Sequence, residues 1–304
     1  LPCRRVLTVV RLHMCHLRCL CCLHCQELHL GCMHYDGQVG PQSNAEARRR
    51  RLYALAEEQG DADAQCSLAE MHYYGQGGPQ NYAEARRLYG LAAEQGDAGA
   101  QYFLANMHSH GHGGPQDFAE ARRLYGLAAE QGHAEAQCGL ARMHSHGQGG
   151  PQNDAEARRL FGLAAEQVHA EAQFGLARMH CQGHGGQQNY AEARRLFGLA
   201  AEQGYAVAQC GLAVMHCYGQ GGPQDYAEAR RLYGLAAEQG NAVAQCGLAV
   251  MHNKGQGGPH NYAEARRLYG LAAEQGQAVA QYFLANMHSH GHGGPQSYAE
   301  ARRL

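Results

Sequence analysis

Histidine and cysteine are the side chains of this sequence whose spacing could do chemistry, and metal binding is the first chemistry to consider. The chain has 21 histidines and 13 cysteines among 304 residues. Cys22 and Cys25 have the spacing of a metal-binding pair, and His29 lies four residues further on. This pattern predicts a zinc site. Because residues 1–25 are crowded with such ligands and lack a second cleanly spaced pair, we favour a decayed repeat or a non-native leader.

Two histidine-rich segments with the sequence His-Ser-His-Gly-His could hold a transition metal. Their candidate ligands are His108, His110 and His112 in the first segment and His288, His290 and His292 in the second. Residues two apart do not face each other on a helix, so only the loop part of each segment could converge on a metal. A His-rich metal-binding protein is therefore an alternative that the sequence leaves open.

One histidine recurs at the same place in every unit of a longer pattern. The column consists of His34, His72, His108, His144, His180, His216, His252 and His288. A side chain present in every unit is expected to serve packing rather than catalysis, and we predict a hydrogen bond between neighbouring units. No Ser/His/Asp or Cys/His set stands once in a distinct setting, so the sequence predicts no catalytic residue and no enzyme.

The longer pattern is the segment NYAEARRLYGLAAEQG of residues 81–96. Copies spaced 36 residues apart lie at 117–132, 153–168, 189–204, 225–240 and 261–276, with a truncated copy from 297 and a divergent one at 43–60. Each unit has two apolar patterns of helical period, separated by a glycine-rich loop. Two helices per unit and a fixed period predict an α-solenoid, in which each unit packs only on its neighbours.

Local signals define the second helix of each unit. Asn81 and Glu84 have the spacing of a capping box, in which each side chain would accept a bond from the other residue's backbone N–H. Gly96 suits the left-handed residue after the helix, and Val168 at the equivalent place should cost about 1–2 kcal/mol. Gly90 recurs inside the helix, which indicates either a tight helix crossing or recent duplication.

The units resemble the Sel-one-like repeat (SLR), a relative of the tetratricopeptide repeat. In one unit the matching residues are 206–216 (AVAQCGLAVMH), 219–226 (GQGGPQDY), 232–233 (LY) and 236–240 (AAEQG). The resemblance covers about residues 27–304. It implies an all-α, right-handed superhelix of antiparallel helix pairs and an adaptor role in assembling protein complexes. Three departures are systematic: His replaces the family's Tyr after Met, Gly replaces the loop Val, and Leu replaces Trp.

This interpretation divides the chain into an atypical Cys/His-rich leader or decayed repeat at 1–22 and an array of about eight repeats at 23–304. The first repeat is divergent and the last is truncated at Leu304, where the uncapped end is expected to fray or to self-associate. Because the chain begins with Leu1 and ends within a helix, we expect a fragment. A regulatory repeat region of a larger enzyme is therefore another alternative.

Charge and hydropathy limit the partners. The net charge is −2, which gives no reason to expect nucleic acid, and no apolar run is long enough to span a membrane. The arginine pairs, such as Arg86 and Arg87, are expected on a solvated convex face with weak local ion pairs. Cys66, Cys138 and their equivalents share a column with aromatic residues, which indicates a buried apolar site rather than disulfides. Cysteines used in this way favour a reducing compartment for the protein.

The units differ from one another mainly at four positions of the first helix, which lie on one side of it. The candidates for partner binding among them are Glu135, Arg142, His146, Glu171, Arg178, Val207, Val214, Tyr218, Val243, Val250 and Lys254. A solvated face free to drift would accept charges anywhere, yet four valines cluster in adjacent units. We therefore expect a non-catalytic scaffold that binds a protein or peptide on this concave face and needs no cofactor.

Overall fold

A computed structural model of the chain describes residues 41–303, where fifteen α-helices and no strand occur. The helices are α1 Pro41–Glu57, α2 Ala62–Tyr74, α3 Tyr82–Glu94, α4 Ala98–His110, α5 Phe118–Glu130, α6 Ala134–His146, α7 Asp154–Glu166, α8 Ala170–Gln182, α9 Tyr190–Glu202, α10 Ala206–Tyr218, α11 Tyr226–Glu238, α12 Ala242–Lys254, α13 Tyr262–Glu274, α14 Ala278–His290 and α15 Tyr298–Arg303. We call the even-numbered helices A helices and the odd-numbered helices B helices. Each repeat is an A helix followed by a B helix.

Each helix packs on the one before it and the one after it, so the predicted all-α solenoid of helix pairs is confirmed. The core is a continuous line of buried side chains between successive helices, built from alanines together with larger residues such as Leu88, Tyr89 and Met107. The predicted zinc ligands Cys22, Cys25 and His29, the leader at 1–22 and His34 lie outside the described residues. None of the helices within 41–303 is both long and apolar enough to cross a membrane.

The A helices have well-defined ends. In α4, the Asp97 carboxylate accepts a bond from Ala100 N at 2.6 Å, and the helix stops at Gly111, whose φ is +71°. Two residues later Gly113 (φ +70°) lies against the backbone of Tyr82, where a Cβ would collide with the Tyr82 carbonyl. The loop therefore lies directly on the start of the preceding repeat's B helix, and glycine is required there by both conformation and space.

The capping prediction for the B helices is half right. The Asn81 side chain accepts from Glu84 N at 3.1 Å, as predicted. Glu84 does not reach back to the backbone; its carboxylate binds Arg87 at 2.7 Å. The Asn81 N–H donates instead to the carbonyl of His72 at 2.8 Å, at the end of the preceding A helix. Because that carbonyl also needs a partner, one bond satisfies two helix ends and leaves Glu84 free to pair with the arginine.

Two further predictions concern backbone positions. Val168 has φ +64° and is the only non-glycine residue with positive φ in the part of the chain that the structure describes, which confirms the predicted helix end. Of the two interpretations of Gly90, the tight helix crossing is wrong, because a Cβ placed there would meet nothing within 4 Å. The same open space surrounds Gly126, Gly162 and Gly198.

The cysteine column is buried or half-buried, as its exchange with aromatic residues predicted. Cys138 and Cys210 lie in the core, and all the described cysteines are free thiols. Burial raises the pKa of the Cys138 thiol to about 12. Thiols held in the protonated form are poor nucleophiles, so these cysteines act as small apolar side chains.

Candidate protein-interaction face

An arginine from each B helix from α1 to α13 bonds to the histidine of the next repeat and holds successive repeats in register. Arg86 Nη2 donates to His108 Nδ1 at 2.8 Å, and Arg86 Nη1 donates to the Pro115 carbonyl at 3.3 Å. The same bond recurs from Arg50 to His72, Arg122 to His144, Arg158 to His180, Arg194 to His216, Arg230 to His252 and Arg266 to His288. The predicted hydrogen bond of the histidine column between neighbouring units is thereby confirmed.

This bond connects two of the departures from the Sel-one-like repeat, the histidine after Met and the glycine in place of the loop valine. A Cβ on Gly114 would collide with the guanidinium of Arg86, so a loop valine would require this arginine side chain to move away. The histidine then provides the acceptor that the guanidinium requires. Since arginine is always a donor, the imidazole must accept through an unprotonated nitrogen. Burial and the cation of Arg86 lower the pKa of His108 accordingly.

The two arginines of each pair therefore have different roles. Arg87 and its equivalents are exposed and pair with the glutamate three residues earlier, as predicted for a solvated face. Arg86 does not lie on that face; it is half-buried against the following loop, which corrects the prediction for this half of the pair. The first arginine is the same in every unit, and this is the sequence signal for its role. Because its histidine partner lies 22 residues further along the chain, the sequence did not reveal the pairing.

A buried glutamine in each A helix from α2 to α12 is a second structural column that the sequence analysis missed. Gln101 Nε2 donates to the carbonyl of Ala93 in the preceding repeat at 3.3 Å, and Gln101 Oε1 accepts from Gln131 at 2.9 Å. The residue is 4% exposed, and both polar atoms of its side chain are satisfied. Such a paired amide fixes how one repeat sits on the next at little cost in desolvation.

These contacts leave one face of the A helices free of the neighbouring helices, and we call it the A face. It carries the four variable positions of each unit, represented in α2 by Asp63, Ser67, Glu70 and Tyr74. The second of these positions is not a free surface position in every unit. Where it is glycine, as at Gly139, an aromatic ring of the preceding B helix lies over it, and a Cβ on Gly139 would stand only 2.9 Å from Tyr125 Cε1.

Two charged candidates in the middle of the A face, Arg142 and Glu171, neutralise each other. Arg142 Nη1 lies 2.8 Å from Glu171 Oε1 in the next repeat, and Glu135 lies 3.2 Å from the imidazole of its neighbour His133. His146 Nδ1 bonds back to the Arg142 carbonyl at 2.8 Å. Of the candidates predicted in α6 and α8, the structure therefore brings Arg142 and Glu171 together as an ion pair across the repeat boundary.

The next two repeats have a different surface. Val207 takes the place of the glutamate that would pair with Arg178, and this arginine has no ion pair within residues 41–303. Val214 and Val243 have 38% and 56% of their surface exposed. Val250 is half-buried against the core. The remaining candidates of these units, Tyr218 and Lys254, are exposed at the ends of their helices.

The histidine-rich segments do not gather their predicted ligands at one point. His108 and His288 bond to Arg86 and Arg266. The rings of His110 and His112 lie 5.6 Å apart, and the rings of the second segment are arranged in the same way. Among the described residues no three side chains of His, Cys, Asp or Glu converge as metal ligands would.

Comparison with known proteins decides the family. The sequence profile of the Sel1 repeat matches residues 27–61, 62–97, 98–133, 134–169, 170–205, 206–241, 242–277 and 278–304. The chain belongs to the Sel1 repeat family. The matched units divide the chain at the same A helix and B helix boundaries that the packing shows. No match is found among the curated proteins.

Two solved Sel1 structures resemble the chain. One is c5321, a protective antigen of uropathogenic Escherichia coli with an SLR fold, at 31% identity and a TM-score of 0.77; the match covers 84% of this chain and 54% of that one. The other is a Sel1 repeat protein of Oxalobacter formigenes, at 28% identity and a TM-score of 0.71, with 79% of this chain and 94% of that one covered. This chain thus spans about half the length of the E. coli structure. Sel1 solenoids are commonly scaffolds for protein interactions.

Proposed function

We propose that this chain is a non-catalytic scaffold that binds a protein or peptide on the A face of its Sel1 repeats. The observation that carries the proposal is the valine cluster of two adjacent A helices, formed by the exposed Val207, Val214 and Val243 with the half-buried Val250. Apolar side chains that recur on one side of neighbouring helices form a continuous strip, whereas isolated surface valines would need no explanation.

Charge near the strip indicates the chemistry of the partner. Arg178 and Lys254 lie on the A face at either side of the valines, and neither has an ion pair in the described chain. Further towards the N-terminus the charges of Arg142 and Glu171 cancel. A partner segment with apolar side chains and a nearby carboxylate would therefore gain both burial and electrostatic complementarity at the strip.

The test is a double substitution, Val214→Glu with Val250→Glu, compared with Leu127→Glu, which changes an exposed leucine on a B helix. We expect an affinity pull-down to recover a partner with the wild type and the Leu127 variant but not with the double variant, at similar melting temperatures. A partner recovered equally by all three proteins would contradict the assignment of the A face. Loss of binding together with a large fall in melting temperature would also fail to support it.

A further inference from the structure

A second site lies at the other end of the A face, where five aromatic rings from three consecutive helices surround a cavity of about 240 Å³. Tyr73 and Tyr74 come from α2, Tyr89 from α3, and Tyr102 and Phe103 from α4. The cavity is open on one side, and its remaining wall consists of Asn106, His110 and His112. We call it the aromatic niche. None of its five rings is among the predicted partner-binding residues.

Contacts among the rings hold the aromatic niche in shape. Tyr73 and Tyr74 meet edge to face at 5.0 Å, and Phe103 stacks on the buried Tyr89 at 5.2 Å. Tyr102 and Phe103 also meet edge to face, at 5.2 Å. Tyr73 Oη bonds to His112 Nδ1 at 3.1 Å, which joins the two repeats across the niche. Because these rings are fixed by their neighbours, a ligand would not have to order them on binding.

The electrostatic environment of the niche favours a cation. Glu70 lies one helical turn before Tyr74, and burial together with the charge of Glu70 raises the pKa of Tyr89. No arginine or lysine lines the cavity. Aromatic faces and carboxylates both attract positive charge.

The polar groups of the niche decide which kind of cation fits. Primary ammonium and guanidinium groups carry several N–H donors that lose water on entering and need acceptors. Asn106 Oδ1 already accepts from Tyr125 Oη at 2.7 Å, so among the lining side chains only tyrosine hydroxyls remain as oxygen acceptors. A trimethylammonium group has no N–H to satisfy and presents only methyl groups to the rings. Aromatic cages recognise such groups in general.

The chain contains its own comparison site. Residues 280–296 repeat residues 100–116 without change, and Phe283 stacks on Tyr269 as Phe103 does on Tyr89. The preceding A helix differs, however. Asn253, Lys254 and Val250 stand where the first site has Tyr73, Tyr74 and Glu70. The second copy therefore has two fewer rings, lacks the carboxylate and gains a cation.

We propose that the aromatic niche binds a trimethylammonium group carried on a peptide side chain, such as a fully methylated lysine. A zwitterionic phosphocholine headgroup carries the same trimethylammonium group but also a phosphate, which Glu70 would repel. The site is separate from the valine cluster, so either proposal can fail without the other.

The experiment is a titration by saturation-transfer difference NMR with three probes: acetyl-trimethyllysine amide, its neutral tert-butyl isostere and phosphocholine. We expect saturable binding of the first probe and about tenfold weaker binding of the isostere and of phosphocholine. Equal affinity for the charged probe and its isostere, or no saturable binding of the charged probe, would overturn the proposal. Tighter binding of phosphocholine would overturn the assignment to a peptide side chain.

Matched variants locate the site. Tyr74→Lys replaces an exposed tyrosine with lysine, which is the residue that the second copy has at this position, Lys254. We expect this variant to bind the trimethyllysine probe about tenfold more weakly. Tyr218→Lys changes the equivalent, exposed tyrosine four repeats further on and should leave binding unchanged. If both variants bound the probe like the wild type, the niche would not be the site. The Val214→Glu, Val250→Glu protein should keep full affinity for the probe.

Discussion

At the ends of the B helices, Val168 stands where the other repeats have glycine, and this replacement lowers the stability of the fold. Val168 is held at φ +64° with 63% of its surface exposed, so little burial compensates for the left-handed backbone. We expect Val168→Gly to raise the free energy of unfolding by about 1–2 kcal/mol, measured by chemical denaturation. The reverse change at an equivalent position, Gly204→Val, should lower it by a similar amount. A Val168→Gly protein no more stable than the wild type would contradict this account of the helix end.

A second residue-scale prediction concerns a buried hydroxyl. Tyr125 Oη donates to Asn106 Oδ1 at 2.7 Å, but the equivalent acceptor position for Tyr269 is Val250, and the Tyr269 hydroxyl is buried without a partner. We expect Val250→Asn to supply the acceptor and raise the free energy of unfolding by about 1 kcal/mol. The reciprocal change Asn106→Val should lower it by about 1–3 kcal/mol. Two changes of the same sign would show that the hydrogen bond does not decide stability here.

At the scale of the helix, the two glycine columns have opposite roles. Gly126 lies inside a B helix with open space at its Cβ position, so Gly126→Ala should raise the free energy of unfolding by about 1 kcal/mol through helix propensity. Gly139 lies inside an A helix under the ring of Tyr125, so Gly139→Ala should lower stability despite the same propensity gain. Thermal melts of the two single variants test this pair. If Gly126→Ala destabilised the protein instead, the result would support a tight helix crossing at this glycine and contradict the open space seen there.

Some of these features could be predicted from the sequence, whereas others depend on contacts between helices. Helix ends were predictable, because the signals at Asn81, Gly96 and Val168 act within a few residues. The roles of Glu84 and Arg86 were only partly predictable, since the His72 carbonyl that takes the Asn81 N–H and the His108 ring that accepts from Arg86 both belong to other helices. The charges of the A face were predictable as exposed, but the pairing of Arg142 with Glu171 depends on how the repeats stack.

The bonds between helices also predict the response to acid. Burial, Arg122 and Arg159 lower the pKa of His144 from its ordinary 6.5, against a smaller opposing effect of Glu156. The pKa is lowered in the same way at His72, His108, His180, His216, His252 and His288. Protonation therefore favours the unfolded chain. The stabilisation is fully present above pH 6.5 and is lost as the pH falls through the lowered values.

We expect a lower melting temperature at about pH 5.5 than at about pH 7.5. The repeated glutamates, such as Glu156, contribute little to this difference, because their pKa values are lowered from 4.5 by their arginine partners and they stay largely ionised at both pH values. His144→Gln, which cannot be protonated, should reduce the difference between the two melting temperatures. If the melting temperature rose on acidification instead, the histidine column would not control how stability depends on pH.

Across the whole molecule, the A face changes character along the array. Its N-terminal end combines carboxylates such as Glu70 with the aromatic niche, its middle carries the neutral pair of Arg142 and Glu171, and its C-terminal part combines valines with Arg178 and Lys254. Taken together, the two proposed sites fix the direction of a partner that spans them. Its cationic side chain would lie at the first repeats and its apolar, acidic segment at the later ones.

The same periodicity predicts how the array tolerates deletion. Removing residues 170–205 takes out one full period and brings α7 against α10. Phe161 would then lie over Gly211 as Phe197 does now, and Arg158 would replace Arg194 as the donor to His216. Because the new junction repeats the old contacts, each unit keeps neighbours of the same kind and only one unit's contribution is lost.

We therefore expect this deletion to keep the helical circular-dichroism signal per residue and a cooperative melt. Removing residues 188–205 instead takes out a single B helix and half the period. It leaves two A helices in succession, so that Gly211 and His216 lose the Phe197 ring and the Arg194 donor and gain no replacement, and the helical signal per residue should fall. Equal behaviour of the two deletions would mean that stability does not depend on the register of the repeats, because only the first deletion preserves the contacts that join one repeat to the next.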